Sequence, residues 1–404
     1  MASVIPPLII DGSMLEGGGQ LLRNSVALSA LLQKPISIQK IRNGRRPPGL
    51  KAQHEAGLKL VAEICSARTN GVRKSSSVVD FFPGPIKLGK NYIADPGTAG
   101  ATGLLLQVSL PCVLFSQPGP SSDASPPQLE ERDEWTTLQL HGGTNATSAP
   151  QVDYTTNVLL PFLARHYGIH PRLKILKRGY FPRGGGLITF SVPPLPPGTT
   201  LPSITVTERG EITKVYGRSY VAGALPFHIA TGMSNAAKTR LVSQLGLDKK
   251  IVSIEVLKED AKDVGNNGSG SGIVLWAETD TGCVLGGSGL GSKGTDAASV
   301  GRAAADELIK AIRGGGCVDE YLQDQIIIFL ALAKGRSTVK TGLPLTLHTQ
   351  TAIWLVEQIT DAKFTVEEDE SGMTTVICDG IGYTSQPQPS TNDEGPGKVN
   401  EGHK

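Results

Sequence analysis

No run of about 18 apolar residues occurs in this sequence of 404 residues, so it offers no transmembrane helix. A short apolar stretch from Val4 to Ile10 is broken by Pro6 and Pro7, and no basic leader precedes it, unlike a secretory signal. Cysteine is scarce. Cys65, Cys112, Cys283, Cys317 and Cys378 are odd in number, widely spaced and without a C-x-x-C pair, which argues against a disulfide framework or thiolate zinc site. A soluble, intracellular protein with no membrane partner is expected. An excess of one charge is missing as well. Lys plus Arg number 39 against 37 Asp plus Glu, a net charge of +2, which excludes bulk charge binding but leaves room for a local basic face. Glycine is in surplus, at 49 residues, and no Gly-X-Y period accompanies it, so collagen is excluded. With 39% hydrophobic residues the chain can bury a core, and its length allows two or three folded units.

Short β-branched runs alternate with helical spacing, which predicts an α/β (α+β) protein of more than one domain. Helices are predicted over 49–65, 153–166, 299–313, 319–333 and 349–361, and strands over 36–41, 187–192, 204–207, 251–256, 273–277 and 374–379. The segment Pro193 to Pro202 (PPLPPGTTLP) reads as a linker, and Gly314 to Gly316 as a second junction. The expected division is 1–199, an inserted unit 200–314, and 315–383. Gln117 to Trp135 is rich in Pro, Ser and acid and reads as an exposed insertion, while the chain from Thr384 reads as a disordered tail.

Charge is concentrated locally. From Lys34 to Lys59 basic residues face one acid, Glu55, and between Asp153 and Glu208 no acid interrupts Arg165, Arg172, Lys174, Lys177, Arg178 and Arg183. These blocks are either a solvated surface or a phosphate-binding face; arginine forks match phosphate oxygens, and neighbouring glycines let backbone N–H groups approach an anion. Glu16-Gly17-Gly18-Gly19-Gln20, with Arg23 after it, suits a phosphate or metal turn, and equally a tight strand-to-helix turn. Gly289 to Gly294 matches G-x-G-x-x-G but lacks the acid that should follow, so it reads as a flexible loop, as does the whole run from Gly286. Tyr321, Asp324 and Gln325 share one helix face, either a ligand-binding face or an ordinary solvated turn. His348 stands where a β-like run ends and a helix begins. There the helix dipole disfavours imidazolium and keeps a neutral nucleophile, although a capping histidine gives the same pattern.

EGGGQLLR (Glu16 to Arg23), RNGRRPPGLKAQH (Arg42 to His54), RGYFPRGGG (Arg178 to Gly186), DEYLQDQ (Asp319 to Gln325) and LTLHTQT (Leu345 to Thr351) occur in this order. Together they make the chain resemble the RNA 3′-terminal phosphate cyclase family in its eukaryotic form, from Asp11 to about Tyr383. The resemblance implies a large domain of three repeated βαβαββ units, each like the C-terminal domain of translation initiation factor 3, with a smaller α/β insert. It implies ATP-dependent conversion of an RNA 3′-phosphate to a 2′,3′-cyclic phosphodiester, with Mg²⁺ or Mn²⁺ and through AMP carried on His348. Gln107, Pro150, Tyr321, Asp324 and Gln325 would hold the adenosine. Arg23, Arg42, Arg45 and Gln53 would engage phosphate or RNA, and Glu16 the metal. Nuclear residence is also implied. Cyclase-like ribosome-biogenesis proteins share the fold without catalysis but lack the nucleophilic histidine, and enolpyruvyl-type transferases would need neither DEYLQDQ nor a covalent histidine.

Overall fold

One strand–helix pattern is laid down three times in a computed structural model that describes residues 6–86, 91–116, 135–342, 344–370 and 372–385. The expected insertion from Gln117, apart from Trp135, and the expected tail beyond Ser385 lie outside the described residues. The first unit runs β1 (Leu8–Asp11), α1 (Gly19–Leu32), β2 (Ile36–Gln39), α2 (Ala52–Ile64), β3 (Arg68–Asn70) and β4 (Val79–Phe82). The second runs β5 (Asn91–Ala94), α3 (Thr102–Leu114), β6 (Thr136–Gly142), a second helix, β7 (Arg172–Lys177) and β8 (Gly186–Val192). That second helix starts as α4 (Val152–Tyr154), widens into a π turn over Thr155–Leu159 and continues as α5 (Leu160–Tyr167). The third unit opens with β9 (Thr205–Val206), where an insertion follows.

The inserted elements are β10 (Ile212–Ala222), α6 (His228–Leu245), β11 (Val252–Lys258), β12 (Gly270–Thr279), β13 (Val284–Leu290) and α7 (Ala297–Arg313). They form their own four-stranded sheet, ordered β11-β10-β12-β13, over a separate core that includes Met233, Leu241, Leu275 and Leu308. The third unit then resumes with α8 (Glu320–Leu332), β14 (Lys334–Gly342), α9 (Leu347–Ile359), β15 (Lys363–Glu368) and β16 (Thr374–Ile381). Each unit's sheet has the same order: β1-β2-β4-β3, β5-β6-β8-β7 and, read in the same sense, β9-β14-β16-β15. In each, the first two strands are parallel and joined through a helix, as a parallel pair requires, and the last two are antiparallel. Because Thr205 and Val206 pair with Thr338 and Val339, these two residues sit with the third unit, later than the boundary of 200 read from the proline run.

The glycine run from Gly286 corrects the loop expected there. Gly286, Gly287 and Gly289 lie inside β13, paired with β12, and only the stretch from Gly291 is loop. The physical reason is the approach of α7: a Cβ on Gly287 would stand 2.6 Å from the Leu308 amide nitrogen and 2.7 Å from the Ala304 carbonyl oxygen. A strand built of glycine carries no apolar alternation, so the pattern that announces strands is silent.

A continuous core joins the three units, with α1 against α3 and α9, and α8 against α9. This arrangement brings five helix N-termini, those of α1, α2, α3, α8 and α9, onto one cleft of about 650 Å³. Helix N-termini carry unpaired N–H groups and the positive end of the dipole, so their convergence makes a site for a polyanion.

Candidate active site

His348 is the second residue of α9, whose N-cap Thr346 accepts the Thr349 amide at 3.1 Å through its hydroxyl. The imidazole is exposed to the cleft. Its Nδ1 lies 3.2 Å from Gln20 Oε1, and Gln20 Nε2 donates to Asp324 Oδ2 at 2.6 Å. While Asp324 is ionised, only the amide NH₂ of Gln20 can donate to it, which turns the Gln20 oxygen toward the ring. Nδ1 therefore carries the proton. Nε2 is left with its lone pair and with no partner among the described residues, the tautomer a nucleophilic imidazole needs. Gln20 comes from α1 and the other two from α9 and α8, so the third unit's chemistry is oriented by the first.

Around this chain the charges are under-paired. Glu16 Oε1 pairs with Arg45, while Glu16 Oε2 is buried with no hydrogen-bond partner among the described residues. A Cβ on Gly18 would lie 2.0 Å from that orphan oxygen, and one on Gly19 would lie 2.5 Å from His54 Nε2. The glycines thus let a carboxylate and an imidazole close over the start of α1. Arg23 lines the cleft without a carboxylate within ion-pair distance among the described residues. Burial lowers its pKa to about 10, although Asp324 and Glu16 pull the other way. Burial pushes the Asp324 carboxyl up to about 7 against the field of Arg23. His54 is driven down to about 3 by burial and then by Arg23, Arg42 and Lys51, so it stays neutral, its Nδ1 accepting the Lys51 amide at 3.2 Å.

The other expected residues divide. Tyr321, at the start of α8, meets Tyr154 edge to face at 5.6 Å and lines the cleft with Gln107 and Pro150. Gln325 does not: its side chain turns back to donate to the Tyr321 carbonyl at 2.7 Å, and it lines a separate small cavity. Gln53 reaches the cleft, but its Oε1 is occupied by the Ala101 amide at 3.1 Å, at the start of α3. Arg42 is 6% exposed and donates to the Pro47 and Gly49 carbonyls at 2.8 and 2.9 Å, shaping the loop while one edge faces the cleft.

The acid-free stretch after Asp153 does not form one phosphate face. Arg178 is buried on Asp153, at 2.5 and 2.9 Å, and on Glu259, at 3.2 Å, and Arg172 lies over the Trp135 ring at 4.5 Å. Sequence reasoning singled out neither Gln20 nor His54. Both lie within quoted motifs, yet Gln20 meets its partners 304 and 328 residues away, a pairing no local spacing announces.

No cluster of three His, Cys, Asp or Glu able to hold a metal occurs among the described residues. The lone orphan oxygen of Glu16 instead fits a hard divalent cation that takes its other ligands from phosphate oxygens and water. No helix among the described residues is long and apolar enough to cross a membrane.

A family model described as RNA 3′-terminal phosphate cyclase matches residues 14–366. A probable RNA 3′-terminal phosphate cyclase of Dictyostelium discoideum is 41% identical over 94% of this chain and 84% of its own length. The RNA 3′-terminal phosphate cyclase of Drosophila melanogaster is 40% identical over 94% of this chain and 98% of its own. That of Pyrobaculum aerophilum is 37% identical over 93% and 98%. Over nearly its whole length, and with the three-unit fold described above, the chain belongs to the RNA 3′-terminal phosphate cyclase family.

Proposed function

We propose that the protein converts the 3′-terminal phosphate of RNA to a 2′,3′-cyclic phosphodiester, using ATP and a covalent AMP on His348. The observation that carries the reading is the Asp324–Gln20–His348 chain, which fixes the proton on Nδ1 and presents Nε2 to a cleft built for polyphosphate. Nε2 attacks the α-phosphorus of ATP, the bond to the β-phosphate oxygen breaks, and pyrophosphate leaves. An oxygen of the RNA 3′-phosphate then attacks the same phosphorus, breaks the P–N bond and carries AMP away as RNA-(3′)pp(5′)-A. The neighbouring 2′-hydroxyl gives up its proton to solvent as its oxygen attacks the RNA 3′-phosphorus, AMP departs with the bridging oxygen, and the ring closes. A phosphate is a poor electrophile until it bears such a leaving group, and splitting the transfer in two lowers each barrier.

Arg23 and the helix N-termini offset the triphosphate charge, with Arg45 beside Glu16 at the rim. Tyr321, Gln107, Pro150 and Asp324, which line the same cleft, hold the adenosine. Gln53 and Arg42 act by holding the α3 start and the 42–49 loop in place. Glu16 would hold Mg²⁺ or Mn²⁺, which supplies Lewis-acid neutralisation of charge on the phosphates when bound. Incubated with ATP labelled at the α-phosphate and divalent metal, the protein should acquire acid-labile, alkali-stable label, and His348→Ala should lose it entirely. Labelling retained in His348→Ala overturns the nucleophile; an unlabelled wild type overturns the enzyme.

A further inference from the structure

Behind the active cleft lies a second one, of about 320 Å³, at the end of the second unit's sheet. There His141 on β6 and Lys177 on β7 both pair with Leu187 on β8, and a bulge in β7 between Ile175 and Lys177 breaks the side-chain alternation just before Lys177. The insert closes the other side. Arg183 Nη1 donates to the Asn267 carbonyl at 2.8 Å, and Asn266 Nδ2 donates to the Arg183 carbonyl at 3.0 Å. Neither Lys177 nor Arg183 has a carboxylate within ion-pair distance among the described residues. The one acid lining the cleft, Asp95, already accepts the Gly97 amide at 2.7 Å.

The two clefts share a wall. A Cβ on Gly184 would stand 3.0 Å from both the Thr98 carbonyl oxygen and Ala99 Cα, so the segments 97–101 and 181–185 are pressed together; Ala99 and Phe181 face the active cleft, Thr98 and Arg183 the second. On this divide Phe181 is 70% exposed, a large apolar ring held in water. Unpaired cations call for an anion, and a bare aromatic face between two anion sites calls for a flat apolar partner. A single nucleic-acid strand presents both, base and phosphate in alternation.

We propose that the second cleft holds the RNA strand upstream of its 3′ end, with Phe181 stacking a base on the divide and Lys177 and Arg183 binding a backbone phosphate. The inference rests on the RNA-end reading above and names where the rest of that substrate runs. It is tested with the full chain, without ATP, by fluorescence anisotropy on two labelled probes: a single-stranded RNA of about ten nucleotides and a dinucleotide, each ending in a 3′-phosphate. The double variant Lys177→Ala/Arg183→Ala should weaken binding of the longer RNA about tenfold or more at low salt. It should also flatten the slope of log K against log salt by about 0.7, the single-strand value for one neutralised phosphate. Binding of the dinucleotide and labelling of His348 by ATP should be unchanged. Phe181→Leu should weaken the longer RNA about tenfold with the salt slope intact, because stacking releases no counterions. Unchanged binding of the longer RNA in the double variant, or an equal loss for the dinucleotide, overturns the subsite. A wild type that binds the longer RNA but does not cyclise its end with ATP contradicts the function reading, whereas selective loss of binding in the variants still supports the subsite.

Discussion

Two clusters of buried charge, both built from acids and arginines, behave in opposite ways. Between the large domain and the insert, Arg178 and Arg218 share Asp153 and Glu259, with Arg218 at 3.0 Å from Asp153 and 2.9 Å from Glu259. Although burial works against the charged form, these arginines hold the Asp153 carboxyl below its ordinary range. In the cleft, Glu16, Arg23, His54 and Asp324 lie within one another's fields, yet Asp324 is pushed up, His54 and Arg23 are pushed down, and one Glu16 oxygen has no partner. The first cluster is complete and needs nothing. The second is organised for charge that a ligand must bring, and until then burial decides its protonation states.

The contrast can be broken experimentally, beginning with the largest effect. The double variant Arg178→Ala/Arg218→Ala should strand Asp153 and Glu259 at the interdomain seam and cost about 3–5 kcal/mol, read as a lower urea midpoint; a midpoint equal to wild type would make the seam dispensable. Arg23→Ala should do the reverse, leaving the urea midpoint nearly unchanged while slowing adenylylation of His348 by about 10² or more. Equal losses of stability in the two variants would erase the distinction.

The pH dependences sharpen it. Asp324 has a folded pKa above its unfolded value, so its contribution to stability is intact near pH 4 and lost as pH rises toward about 7. Asp324→Asn should therefore match wild type in thermal stability near pH 4 and exceed it by about 4 kcal/mol at pH 8. His54 has a folded pKa below its unfolded value, so its contribution is intact above about 6.5 and lost as pH falls toward about 3. His54→Gln should match wild type at neutral pH and gain about 2 kcal/mol on it at pH 5. Thermal melts across pH check both, and a gap that runs the other way in either variant refutes the assigned burial.

Much of this was legible in the sequence where the signal was local. The apolar spacing of 299–313 became α7 and that of 319–333 became α8, because amphipathic stripes over a core survive in any packing. His348 at a strand-to-helix junction was legible for the same reason. Helix α3 was not, since it is buried almost all round, carries Pro111 and shows no polar face to set a period. Nor was α6, whose buried stripe is mostly small residues such as Ala230 and Ala237. Gln325 shares its helix face with Tyr321, but spacing could not tell that it bends back onto its own backbone. The acid-free stretch held Arg178 and Arg183 alike, and composition could not say that one is sealed in ion pairs while the other faces an open cleft.

What the sequence determined by itself is the menu of elements, the motifs of the family and the identity of the imidazole at a helix start, because these depend on residues a few positions apart. What only the tertiary structure decided is that five helix N-termini share one cleft and that a glutamine of the first unit sets the tautomer of a histidine in the third. It also decided which buried charges are paired and which wait for a ligand. The reason is physical. Burial, dielectric and hydrogen-bond partners are properties of where chains meet, and residues some 300 positions apart meet only when the three sheets and their helices close on a common core.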